Sequence, residues 1–547
     1  MSENIFSKER KELQEKGLIP KWMSTGGWQI YKQKYLYKAS NLREQYERIA
    51  STAAQHMGDN YPDWWEEEFG NSTWKDVFLD VCLWTGDLSP STPIQANMGT
   101  DRGCPVSCSG GVVGDGVYDF YASRLETALL TKEGFGTSDY MGAIRPRGAP
   151  ISKGGKASGV LPVFKGKVQD MRDIAQGTSR RGAWAGSLEI EHDDWYEVRQ
   201  YVETEPDDVN VGWIITDSFI DALKAKDKVA LDKWNKSLKT KMITGKGYYT
   251  FIDKIQRKRP QMYVDKGMTV KASNLCQEIT LFADEEHTFT CVLSSLNLAN
   301  YRSWHPRLVF LATCFLDCVA QEFIERGKKI KGLEKAVRFT EKGRALGLGV
   351  MGLHTLFQKE MLPFESFEAH MLNNEIFKRI NEESLEASQW MAKTLGEPEW
   401  CKGYGVRNTH RIAIAPTKST ALIMGGVSEG INPDVAMTYT QTTAAGEIDR
   451  INPVLLEVMK KKGVYNKKTM QEIVDAQGSV QGVDWLNEEE KKVFKTAFEI
   501  DQRAILRLAS ARQKYIDQMQ SLNLFFSADE EEKYIAQIHK EAFLDEN

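Results

Sequence analysis

What the sequence lacks narrows it first. No apolar run approaches the roughly 18 residues that carry a helix across a bilayer. Met1 opens a charged, hydroxyl-bearing stretch and not a basic leader followed by an apolar one, so no secretory signal and a cytoplasmic, reducing setting are expected. Histidine is scarce, at 8 in 547 residues, and cysteine equally so, at positions 82, 104, 108, 276, 291, 314, 318 and 401. In a reducing compartment these are thiols by default, and any disulfide is transient and chemical. There is no His-Glu-x-x-His and no pair of Cys-x-x-Cys, and three residues separate Cys104 from Cys108, so no metal site is expected. Positive charge is not in excess: 71 Lys and Arg against 76 Asp and Glu leave −5, without the basic footprint of a nucleic-acid binder. Repeats and low-complexity linkers are missing too. With 41% hydrophobic and 27% charged residues, what remains is a globular protein.

The chain divides by texture. Leu36, Leu42, Tyr46, Ile49 and Ala53 recur at helical spacing and predict an amphipathic helix over 35–57. Trp64, Trp65, Phe69, Trp74, Phe78 and Val81 continue the pattern as core aromatics. A helical N-terminal domain over 1–88 follows. From residue 89, proline, glycine and β-branched residues take over. Strands are expected over 185–190 and 209–215, and helices over 118–130, 193–204 and 222–241, the last a solvated lysine-rich face. Residues 451–547 read as mostly helical, 503–524 included. The alternation of strands and helices over 180–420 argues an α/β class, with one large domain over 89–547.

Chemistry concentrates in 273–300. Asn274, Cys276 and Glu278 alternate, so in an extended segment an amide, a thiol and a carboxylate share one face. Cys291 returns on a second extended run, 289–298, after a turn at 284–287. Taken alone, the pattern also fits a plain hairpin with two buried thiols. The glycine-rich loop 133–165 carries Arg145, Arg147, Lys153 and Lys156, and residues 177–184 repeat that chemistry; both suit a phosphate-bearing ligand or a solvated surface. Gly347, Gly349 and Gly352 fit G-x-G-x-x-G, but a charged, helix-like stretch precedes them and no dinucleotide site is expected. Hydroxyls at 417–420 open a helical run, which makes either an anion site or an ordinary N-cap.

Several separated motifs together carry a resemblance. They are 88–97 with Ser-Thr-Pro-Ile, Ser107 with Cys108, 149–151, 273–279, 291–298, 346–352, and 416–420 with Gly430, Ile431, Asn432 and Pro433. In order and spacing the chain, from about residue 30 on, resembles the large catalytic subunit of class I ribonucleotide reductase. The resemblance implies a ten-stranded α/β barrel of two five-stranded halves, with a finger loop in its centre. It implies a thiyl radical at Cys276, Glu278 as general base, Asn274 holding ribose hydroxyls, and Cys108 with Cys291 as the reducing dithiol, Cys104 being an extra thiol. Thr92 and Ser107 would contact substrate, and Pro416, Thr417, Lys418, Ser419 and Thr420 would cradle its diphosphate. Asp115, Arg145 and Arg180 would bind a dNTP or ATP effector. The family further implies a homodimer, a metal-containing radical-generating small subunit and thioredoxin or glutaredoxin as reductant, with no cofactor held by this chain. Neither an ATP-binding cone nor the family's C-terminal tyrosine-pair strand and cysteine tail is recognisable, so a separate C-terminal fragment is expected to complete it. An adenosylcobalamin-dependent reductase and a non-catalytic nucleotide-binding fragment are the alternatives.

Overall fold

The computed structural model of the chain describes residues 5–176, 180–443 and 446–547, the side chains of 175–181 and 441–449 excepted. Among the described residues twelve strands run in order as β1 (Leu88–Pro90), β2 (Cys108–Val112), β3 (Gly136–Tyr140), β4 (Ala175–Gln176), β5 (Arg180–Arg181), β6 (Trp184–Glu189), β7 (Asn210–Ile215), β8 (Tyr248–Phe251), β9 (Phe289–Asn297), β10 (Leu346–Met351), β11 (Thr438–Thr443) and β12 (Gly446–Ile451). One curled sheet holds most of them. Its first half is five parallel strands, β2-β3-β6-β7-β8. The halves meet where β9 runs antiparallel to β2, with Cys108 opposite Cys291. In the second half β10 lies parallel to β9, and two extended segments continue the same direction through the bridges Leu348–Ile412 and Ile414–Gln520. The short β1 pairs antiparallel with β9 beyond the end of β2. This is the α/β barrel expected, with a helical N-terminal region ahead of it.

Sequence explains why the second half sits deep. Every residue of β9 and of β10 is buried, the signature of parallel strands covered on both faces. The covering layer includes the helix Leu308–Gly327, apolar almost all round and buried along most of its length. The helix Phe367–Leu395 lies beside it, capped by the Ser366 hydroxyl. The N-terminal helices join this core: Trp65 packs against Trp74, and Trp74 against Trp390. The first half has its own core around Trp184, Trp195 and Trp213. A third, small core encloses Cys108 and Cys291 with Ile279, Phe289, Leu293 and Ala413.

Several local expectations change. The helix over 35–57 is Leu42–Met57, capped by Asn41, because Tyr35 closes the preceding helix Thr25–Lys34. The lysine-rich helix breaks at Asp227, which caps Lys228–Thr244, and Lys233 is buried with Nζ donating to His192 O. Residues 514–524 are not helical. The helix Gln502–Gln513 ends, and the chain then extends along 410–415, where Gln518 N–H donates to Ile412 O and Ile414 N–H to Met519 O. In the G-x-G-x-x-G run, where no dinucleotide site was expected, Gly347 and Gly349 lie on the buried strand β10 and Gly352 opens the next helix; a Cβ on Gly349 would lie 2.7 Å from Ala413 O.

Candidate active site

The segment between the helix Gln261–Asp265 and β9 forms an inner loop, its neck closed by a bridge from Val270 to Phe282. The expected extended run through Asn274, Cys276 and Glu278 does not form; the chain turns here. Asn274 Oδ1 accepts the backbone N–H of Glu278 at 3.0 Å and of Ile279 at 3.2 Å. Gln277 takes a left-handed φ of +65°, which costs a non-glycine residue about 1–2 kcal/mol. Its side chain holds it there. Nε2 donates to Asn274 O at 2.9 Å, Oε1 accepts from the Thr250 hydroxyl on β8, and the amide covers Gly212 of β7. On the other side, Thr280 N–H donates to Gln518 Oε1 at 3.1 Å and Met519 N–H to Glu278 O at 3.0 Å. Two glutamines thus clamp the loop, one to each half of the barrel.

The predicted catalytic residues come together. Asn274 and Glu278 are buried, and Cys276 is half-buried. The Asn274 Nδ2 amide is buried and has no hydrogen-bond partner in the protein, so it is a donor available to a ligand hydroxyl. Cys276 and Glu278 both lie near Tyr248 on β8: burial pushes its phenol up, and the two neighbours add to the rise. Cys108 and Cys291 face each other across β2 and β9, where Cα atoms are about 4.5–5.5 Å apart, within disulfide reach. All eight cysteines are thiols. Burial pushes the Cys291 thiol well above its ordinary value, and Cys108 and Glu278 add to the rise. Cys104 belongs to the large core and not to that of the pair; Glu133, Arg326 and Glu322 lie near it, and burial raises its thiol to about 12.

The predicted substrate contacts sit on two loops. Thr92 starts the helix Thr92–Asn97, and the Ser107 hydroxyl donates to Ser91 Oγ at 2.9 Å. Pro416 leads into the helix Lys418–Ile423, whose N-cap Thr417 makes no side-chain capping bond, so the ordinary-cap alternative does not hold. The Thr417 hydroxyl instead accepts Gly430 N–H at 2.8 Å, which joins the two motifs. Lys418 and Ser419 are exposed, and the Thr420 hydroxyl donates to Thr417 O. Among the effector candidates, Arg145 Nε donates to Asp115 Oδ2 at 2.6 Å and its backbone N–H to Oδ1 at 2.9 Å. Arg180 lies on β5 with its side chain outside the described residues, as do residues 177–179 altogether.

Sequence reasoning missed Gln277, Thr250, Tyr248, Asp517 and Gln518. For the last segment there was no strand signal to read: its apolar residues Ile516, Met519 and Leu522 recur every three positions and not every two. A cavity of about 720 Å³ lies between β8 and that segment, lined by Tyr248, Gln277, Gln518 and His410.

Two parallel half-sheets, joined antiparallel at β2 and β9 around an inner thiol-bearing loop with a second thiol pair beside it, make an α/β barrel equipped for thiol redox chemistry. The family model for the barrel domain of ribonucleotide reductase matches residues 106–236, 229–403 and 398–545. A ribonucleoside-diphosphate reductase large subunit of Frog virus 3 is 33% identical over 477 residues, covering 83% of each chain. A vitamin B12-dependent ribonucleoside-diphosphate reductase of Thermoplasma acidophilum is 32% identical over 494 residues, covering 83% of this chain and 62% of that one. The solved alpha subunit of the class Id ribonucleotide reductase of Actinobacillus ureae superposes with a TM-score of 0.86 at 36% identity, covering 96% of both chains. The chain belongs to the ribonucleotide reductase family, among its large subunits.

Proposed function

We propose that this chain reduces ribonucleoside diphosphates to 2′-deoxyribonucleoside diphosphates by class I radical chemistry. The observation that carries the reading is the register of Cys108 with Cys291 beside the loop bearing Asn274, Cys276 and Glu278. A thiyl radical at Cys276 takes the ribose 3′-hydrogen, and Glu278 accepts the 3′-hydroxyl proton. Asn274 Nδ2 donates to a ribose hydroxyl. The 2′-hydroxyl leaves as water while Cys108 and Cys291 supply two electrons and two protons and close to a disulfide. Cys276 then returns its hydrogen to C3′.

Thr92, Ser107 and the segment 416–420 hold the substrate, the uncapped helix start at 418 facing its diphosphate. Asp115 and Arg145 receive a nucleotide effector on ribose and phosphate, with Arg180 on the second effector loop. The radical comes from a metal-containing partner subunit, and a thioredoxin-type dithiol reopens the disulfide. The helix Val117–Lys132 beside Asp115 supports a homodimer: Val117, Tyr118, Tyr121 and Leu125 are 71%, 84%, 64% and 62% exposed, more apolar surface than a lone helix face leaves to water. The cavity between β8 and 516–522 is our proposed place for an extended segment of a separate polypeptide, beside Tyr248 and the Cys276 loop.

The test uses the full chain with a radical-generating small subunit, dithiothreitol and each ribonucleoside diphosphate. Cys276→Ser is expected to abolish deoxynucleotide formation and leave effector binding intact. Residual reduction by that variant refutes the thiyl assignment. The similarity to a B12-dependent enzyme keeps a second reading, and turnover with adenosylcobalamin and no partner subunit would establish it in place of the first.

A further inference from the structure

Cys291 has no exposed surface. Four titrating groups face it: Cys108 across the strand pair, Glu278 on the loop, Asp517 on the last extended segment and Tyr263 on the helix Gln261–Asp265. Burial opposes negative charge on its sulfur most, and Cys108, Glu278 and Asp517 add to that opposition. The side-chain amide of Gln518 acts the other way, donating to Cys291 Sγ at 3.8 Å.

That amide is held at further points. Gln518 is buried, its Nε2 also donates to Leu346 O on β10 at 2.9 Å, and its Oε1 accepts Thr280 N–H at 3.1 Å. With donor and acceptor both engaged, the amide is fixed in orientation, Nε2 toward the sulfur. Space for the contact comes from Gly347, next to Leu346. A Cβ there would lie 2.8 Å from Cys291 Sγ and 2.4 Å from Leu293 Cδ2. The backbone N–H of the following residue, Met519, donates to Glu278 O. One short segment therefore touches both the thiol pair and the loop of the general base.

We propose that Gln518 is a positioning residue of the reducing pair: its amide donor holds the Cys291 sulfur in place and ties that sulfur to the loop carrying Cys276 and Glu278. The inference rests on the reading of Cys108 and Cys291 as the reducing dithiol. In the step it serves, both thiols give up a proton and an electron, the S–S bond forms, the substrate C2′–O bond breaks, a C2′–H bond forms and water leaves. On return, an external dithiol attacks the disulfide, gives two electrons and two protons, and ends oxidised. A donor already aimed at Cys291 stabilises its sulfur as the leaving thiolate.

The test reads the thiols without turnover. The full chain, with no partner subunit, is oxidised by a small disulfide and reopened by dithiothreitol from about pH 6 to about pH 9, and trapped thiols are mapped by mass spectrometry. Gln518→Glu keeps the acceptor for Thr280 and exchanges the amide donor for a carboxylate, which adds negative charge beside the sulfur. Gln518→Met removes both at similar volume and serves as the second variant. The rate profile of either is expected to move up by about one pH unit, roughly a tenfold slower exchange near neutrality, with a cooperative melt retained. An unchanged profile in folded Gln518→Met, which carries neither donor nor charge, overturns the proposal, as does a parent chain in which Cys108 and Cys291 form no disulfide. If the parent closes and the variants shift while no ribonucleoside diphosphate is reduced with the partner present, the proposed function fails and the role of Gln518 stands.

Discussion

Asn274 performs two tasks with one amide. Its Oδ1 takes the N–H groups of Glu278 and Ile279 and so bends the loop, while Nδ2 is buried without a protein partner. Asn274→Asp separates the tasks, because the carboxylate keeps the acceptor and loses the donor. Melting is expected to hold close to that of the parent, and kcat/KM to fall about 10- to 100-fold, as for the loss of one buried donor to substrate. Asn274→Ala loses both and should also lower the melting temperature. Steady-state kinetics beside thermal melts distinguish the two. Residue types in 273–291 announced this chemistry, since amide, thiol and carboxylate fall within five positions. What they did not reveal is the bend, which depends on Gln277 reaching Thr250 on a strand 27 residues earlier.

At the scale of elements, β10 shows how a familiar glycine pattern serves packing. Gly347 admits Cys291 Sγ and Leu293, and Gly349 admits the neighbouring backbone at Ala413. Gly347→Ala is expected to cost about 1–3 kcal/mol by overpacking, read as a lower midpoint in denaturant, and to slow disulfide closure between Cys108 and Cys291. The last extended segment was not legible as a strand. Residues 514–524 follow directly on a helical pattern, yet Asp517 accepts the N–H groups of Arg411 and Ile412, and the ladder beside it draws the chain straight. Tertiary hydrogen bonds outweigh a local helical preference of tenths of a kcal/mol per residue.

The whole molecule carries a pH dependence set by buried imidazoles. Burial lowers His354 to about 3 and both His410 and His539 to about 4, from an ordinary value of 6.5. These groups are neutral in the fold, so between their folded values and 6.5 the unfolded chain binds more protons. Their contribution is fully present above pH 6.5 and is lost as pH falls, each at about 1.4 kcal/mol per pH unit. Asp434, raised to about 6 chiefly by burial, works the opposite way and favours the fold as pH falls through that value, and Asp87, Glu126, Glu383 and Glu429, also raised by burial, act in the same direction. Net acid destabilisation between about pH 6.5 and pH 4 is expected in thermal melts. His354→Gln should flatten the slope, provided that the amide replaces the acceptor for Asp434 N–H.

Local sequence carries the inventory: an α/β chain with a helical lead-in, few thiols, and one short stretch where amide, thiol and carboxylate sit together. Periodicity, capping residues and side-chain chemistry act within a few residues, and they are readable there. The tertiary structure alone decided that Cys108 lies opposite Cys291, 183 positions on, that the loop bends between two glutamines, and that Gln518 reaches the sulfur. Those outcomes depend on strand register, on the absence of a Cβ at Gly347, and on hydrogen bonds between distant segments. Each is a property of the closed sheet and not of any local run of residues.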